Sequence, residues 1–190
     1  MYTRILITLA LALSAGCGES SESATSAPKA QTSPITAADG PFTKVRPADA
    51  PGITEVKKTA KKGDTVRFLG RVGGKVNTFV EGNAIFVATD PALLSCELMG
   101  EEDHCAVPWD YCCEDADDLR AAMATVRLID ASGRPIRSTA KGMGGLEESC
   151  FILVEGRVQD RNDDGLFVVD ASSVWVGGKP DRSDHMKGSR

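Results

Sequence analysis

Thr65-Val66-Arg67-Phe68-Leu69-Gly70-Arg71-Val72 sets Val66, Phe68 and Val72 against Thr65, Arg67 and Arg71. That alternation is the pattern of a strand with one face on a core. A partial echo of it, Phe151 to Val158, ends Glu155-Gly156-Arg157-Val158 where the first ends Leu69-Gly70-Arg71-Val72. Working outward, three more segments carry strand character. Ala84 to Thr89 is continuously apolar and suits a strand covered on both faces. Ala124 to Ile129 alternates and stops at the turn residues Asp130-Ala131-Ser132-Gly133. Leu166 to Val176 has an irregularity at Ser172-Ser173. Only Glu114 to Met123 has helical character, with acids at its start where the helix dipole favours them. The fold class expected is therefore all-β, five strands, with a short helix and a cysteine-rich insertion between the second and third.

Mid-strand Gly70 and Gly156 suit the bends or bulges that let a small sheet coil. The order of three strands, a glycine-rich crossover at Lys141 to Glu148 and two further strands resembles the OB-fold, a small five-stranded barrel, over about Gly63 to Gly177. A β-sandwich is the alternative architecture. The GDTVRFLGRVGG start at 63–74 and PWDYCCE at 108–114 also resemble a family of uncharacterised bacterial lipoproteins with an OB-like domain. A fainter similarity, confined to the strand–glycine pattern and Thr89-Asp90, is to the envelope haem chaperones of cytochrome c maturation and the bacterial OB-fold stress proteins. His185 falls in the C-terminal tail rather than at the end of the barrel, so a haem-carrying role is not implied.

The address is read at the other end of the chain. Met1 to Arg4 carries one positive charge, and Ile5 to Leu13 is an apolar run of export-signal length, too short for a stable span. Ser14-Ala15-Gly16-Cys17 resembles the lipobox of bacterial lipoproteins, although that pattern prefers Leu where Ser14 stands. The resemblance implies cleavage before Cys17 and lipidation of Cys17. A plain secretory signal is the competing reading. The resulting organisation is a signal peptide over 1–16, a lipidated cysteine and disordered tether over 17–52, the OB-like domain over 53–177 and a flexible tail over 178–190. A Ser-, Thr-, Ala- and Pro-rich tether of that length reaches on the order of 30 Å. The product is expected in the cell envelope, lipid-anchored to a membrane facing the periplasm or exterior.

The chain has 190 residues, 42% apolar but only 5% aromatic, which allows one modest aliphatic core. Its net charge of -5 disfavours a nucleic-acid partner. There are 6 cysteines. Cys96, Cys105, Cys112 and Cys113 fall in one insertion, CELMGEEDHCAVPWDYCCED. In an oxidising envelope they suit two disulfides that staple a long polar loop, for instance with Cys96 and Cys105 each joined to one of the vicinal pair, although four cysteines allow three connectivities and the sequence does not choose among them. The alternative is a thiolate site for zinc or copper, with His104 as a further candidate ligand. No C-x-x-C spacing is present. Cys150 is expected to be a buried free thiol.

The insertion also carries Trp109, Asp110 and Tyr111 among many acids, a candidate surface for an envelope protein or small ligand. Trp109 capping a barrel mouth, with solvated acids around it, is the competing reading. Trp175 reads as packing. Asp160 to Gly165 opens like a calcium loop, but its twelfth position is Ala171, so a hairpin turn is favoured. The basic run Lys57-Lys58 and Lys61-Lys62 reads as solvated. No nucleophile–base–acid arrangement is visible, and the expectation is a binding module, not an enzyme, with no cofactor.

Overall fold

The computed structural model describes residues 40–99 and 105–180. The chain is mostly β, with strands β1 (Phe42–Thr43), β2 (Thr65–Val72), β3 (Ile85–Thr89), β4 (Met123–Leu128), β5 (Phe151–Arg161) and β6 (Phe167–Val176). Two short helices accompany them, α1 (Ile53–Thr59) and α2 (Ala116–Ala122). The strands form one mixed sheet in the order β1-β6-β4-β3-β2-β5, and an additional β5–β6 pairing joins five of them into a ring. Four junctions of the ring are antiparallel, and β4–β6 is parallel, with Thr125 beside Val168 and Leu128 beside Ala171.

The alternating apolar positions make the ring's interior. Phe68, Phe86, Val126, Leu128, Ile152, Val154, Phe167, Val169 and Val174 are all buried in one cluster. β2 pairs with β5 from Thr65–Arg157 to Arg71–Phe151 but with β3 only at Arg71–Thr89 and Val72–Ala88, so it bends from one neighbour to the other. Gly70 lies where this bend is crowded: a Cβ there would stand 3.2 Å from Ile53 and 3.4 Å from Ala88. The irregularity expected at Ser172-Ser173 is a bulge. Glu155 pairs with Ser173 and Gly156 with Ala171, leaving Ser172 over, and the Ser172 hydroxyl donates to the Glu155 carbonyl.

Several expectations are corrected. The sheet has a sixth strand, β1, which pairs parallel with β6 at Phe42–Val174 and Thr43–Trp175. It lies in the stretch assigned by composition to the tether. α1 was not anticipated. It is only seven residues long, buries Ile53 completely, and is entered through a Gly52–Leu69 bridge. β3 is covered on one face rather than both, because Ile85 and Val87 stay half-exposed. Arg71, read as solvent-facing, is buried. The KGMGGLEES crossover is a tight turn with Gly142, Gly144 and Gly145 all at positive φ. The hairpin expected at Asp160 to Gly165 is present: the segment is the end of β5 and the following turn, closed by the Asn162 N–H on the Leu166 carbonyl. Among the described residues no helix is long and apolar enough to cross a membrane.

Candidate functional site

The insertion between β3 and β4 is the chemically dense part of the molecule, and it is fastened to the ring at both ends. At its start Asp90 is nearly buried, and its carboxylate accepts from the N–H groups of Thr54 (2.8 Å) and Ala92 (2.9 Å), joining the end of β3 to α1. At its end Asp115 caps α2, accepting from the N–H groups of Asp117 and Asp118. Between them the N–H of Gly74 donates to the Trp109 carbonyl at 2.7 Å, and the Trp109 indole N–H donates to the Val76 carbonyl at 3.3 Å. The loop thus lies against the β2–β3 connection. Gly73 permits this approach, because a Cβ there would stand 2.6 Å from the Trp109 carbonyl oxygen and 3.2 Å from the Tyr111 ring.

Tyr111 is the anchor. It is 1% exposed and holds φ at 60°, a conformation that costs a non-glycine residue free energy unless packing over-determines it. The Arg71 guanidinium lies 6.0 Å from the centre of its ring and 5.7 Å from that of Phe151. The aromatic sides of both rings therefore face a buried cation, which accounts for an arginine inside the sheet. Tyr111, expected on a recognition surface, is not presented there. Trp109 and Asp110 stay half-buried, so of the three only these two reach solvent.

With Tyr111 turned inward, Asp110 and Cys112 approach the sulfurs of Cys96 and Cys105. Cys112 Sγ stands 3.6 Å from Cys96 Sγ, 3.7 Å from Cys105 Sγ and 3.9 Å from Cys113 Sγ. Donor atoms of Cys96, Cys105, Asp110 and Cys112 all lie within 4.8 Å of one another. Cys96 is buried, Cys105 and Asp110 are half-buried, and Cys112 and Cys113 are exposed, so the cluster runs from the loop's interior to its surface. None of the sulfurs is bonded to another. Asp110 is held by the Cys112 N–H, which donates to it at 2.9 Å. Burial raises the Cys96 thiol, with Cys112 opposing that shift and Cys105 adding to it, while the thiol contacts themselves raise Cys112. A crowd of sulfurs resists ionising without a cation among them.

Cys150 is buried at the start of β5, as expected, and desolvation raises its thiol. Trp175 is half-buried, with the Arg46 guanidinium 5.3 Å from its ring. His104, Cys17 with its leader, and the tail beyond residue 180 lie outside the described residues.

A second feature adjoins the insertion. A concavity of about 290 Å³ lies on the β3–β4 face, lined by Lys75 from the β2–β3 connection, Val87, Met123 and Thr125 from the strands, and Gly165 and Leu166 from the β5–β6 turn. Its rim is tied together by Lys57, whose ammonium donates to the carbonyls of Arg120, Met123 and Gly165, each at 2.9 Å. A larger groove of about 460 Å³ lies between α1 and β2, but one helix and one strand make its walls and Glu55, Asp64 and Arg67 line it with mixed charge. Sequence reasoning missed the concavity, since its lining comes from four separate segments. Comparison with protein-family models and with curated proteins returned no match.

Proposed function

We propose that the chain is a lipid-anchored binding module of the cell envelope, without catalytic activity, whose body is an OB-like barrel. The ring order β2-β3-β4-β6-β5, with β4 and β6 parallel, supports the barrel reading. In barrels of this type the face of the second and third strands, flanked by the first–second and fourth–fifth loops, takes the ligand. Here those elements are β3, β4, the β2–β3 connection and the β5–β6 turn, and they line the 290 Å³ concavity. That coincidence is the observation carrying the proposal. The neighbouring insertion, whose half-buried Trp109 is tied to the β2–β3 connection at Val76, extends this surface, and the occupant is an envelope protein or a small ligand. The leader and Cys17 would hold the module at a membrane surface.

The test is site-directed photocrosslinking in intact cells. A photoreactive residue at Thr125 or Leu166, inside the concavity, should give discrete adducts, whereas one at Ser132, in the exposed β4 turn, should not. Equal adducts at all three positions, or none at any, would overturn the assignment of the face.

A further inference from the structure

We propose that Cys96, Cys105, Cys112 and Asp110 form a tetrahedral site for a zinc-type divalent cation. Zinc bound at about 2.3 Å to each sulfur sets the tetrahedral edge between sulfurs at about 3.8 Å. The two edges made by Cys112, 3.6 Å to Cys96 and 3.7 Å to Cys105, are both of that length. A disulfide is pairwise and needs sulfurs about 2.0 Å apart. Here the central sulfur is almost equidistant from two others, which singles out no pair but suits one ion shared by all three. The fourth donor is a carboxylate oxygen within the same 4.8 Å set. A mixed set of soft and hard donors fits borderline zinc better than copper(I), which three sulfurs alone would satisfy.

The surrounding backbone is arranged for this chemistry. The left-handed conformation at Tyr111 buries its ring and leaves Asp110 and Cys112, on either side of it, both contributing to the cluster. The Cys112 N–H orients Asp110, a bond of the outer layer that fixes first ligands elsewhere. Cys113 does not belong to the four-donor set, although its sulfur touches Cys112. Ion entry is a ligand exchange without redox change: three S–H bonds give their protons to solvent as three sulfur–metal bonds form.

The experiment uses the full chain carrying Cys17→Ser, reduced and kept from air, titrated with cobalt(II) and then with zinc as competitor, and read by absorption and native mass. One ion per chain is expected, with thiolate-to-cobalt charge transfer and tetrahedral cobalt bands that zinc abolishes. Cys112→Ser, at an exposed position that leaves the fold intact, should weaken binding more than ~100-fold, and Asp110→Asn about 10- to 100-fold. Cys113→Ser and Cys150→Ser should bind as the parent does. Absence of the bands, a loss in Cys113→Ser equal to that in Cys112→Ser, or tight copper(I) binding indifferent to Asp110→Asn would each overturn the assignment. So would chain isolated from the envelope that lacks the hydrogens of these thiols, the mark of bridges. The photocrosslinks of the β3–β4 face do not depend on the ion, so the two proposals fail separately.

Discussion

Gly156→Ala tests whether β5 and β6 close the ring as described. A Cβ at this position would stand 2.3 Å from the Asp170 carbonyl oxygen, 2.8 Å from Val169 Cγ1 and 3.0 Å from Ala171 Cα. Two of the three obstacles are backbone, so no rotamer change relieves them, and β6 must retreat by about 1 Å to reach ordinary contact. Overpacking of this kind costs about 1–3 kcal/mol. Stretching one or two ladder hydrogen bonds adds about 1 kcal/mol each. Against this, alanine restricts the unfolded chain and returns about 0.4–1 kcal/mol. The net loss expected is about 1–4.6 kcal/mol, or roughly 4–16 °C in Tm for a body of this size. Urea and thermal unfolding followed by circular dichroism measure it. Gly178→Ala is the control, since nothing lies within 4 Å of its Cβ. If Gly156→Ala unfolds with the parent, the seam between the two strands is not built as described.

Further outcomes follow from the same contacts. Gly73→Ala should push the Trp109 segment off the β2–β3 connection, seen as a red shift of Trp109 emission in a Trp175→Phe background; unchanged emission would contradict the docking geometry. Asp170→Asn should cost about 2–3 kcal/mol, because it weakens a paired guanidinium bond (Arg127 Nε to Oδ1 at 2.5 Å, Nη2 to Oδ2 at 2.9 Å) whose side chains are only 24% and 12% exposed. A cost near zero in urea unfolding would show the pair to be solvated. Three carbonyls accept from Lys57, yet withdrawal from water and then the charge of Arg161 lower its ammonium from 10.5 to about 8. Between pH 8 and 10.5 the folded chain therefore binds fewer protons here than the unfolded chain, so this residue makes stability rise with pH across that window. Lys57→Met should lose that rise, and identical pH–stability curves for the two proteins would refute it.

How much of this was legible beforehand differs from element to element. β2 could be read to its exact ends because Val66, Phe68 and Val72 alternate with polar residues over a full strand. The echoing segments 69–72 and 155–158 lie on strands that pair, but not opposite each other: Gly70 faces Ile152, and Gly156 faces Val66. A repeated motif shows similar local demands, whereas register is set by the whole ladder. β1 is too short to have a period, and α1 offers only Ile53 and Val56 as an apolar spacing. The burial of Arg71 was hidden because the rings beside it, Tyr111 and Phe151, come from distant segments. Cysteine spacing singled out the sulfurs that the insertion gathers but could not show Cys112 between Cys96 and Cys105 with Cys113 outside the four-donor set. That depends on Tyr111, whose side chain looked like a surface aromatic until the loop was seen folded around it.

Export and anchoring underlie the proposed role, and the mass of the N-terminal peptide of protein isolated from whole cells tests them most directly. The account predicts a chain that begins at Cys17, carries acyl groups on that residue and sediments with membranes. A chain that keeps Met1 with an unmodified Cys17 and remains in the soluble fraction would contradict it.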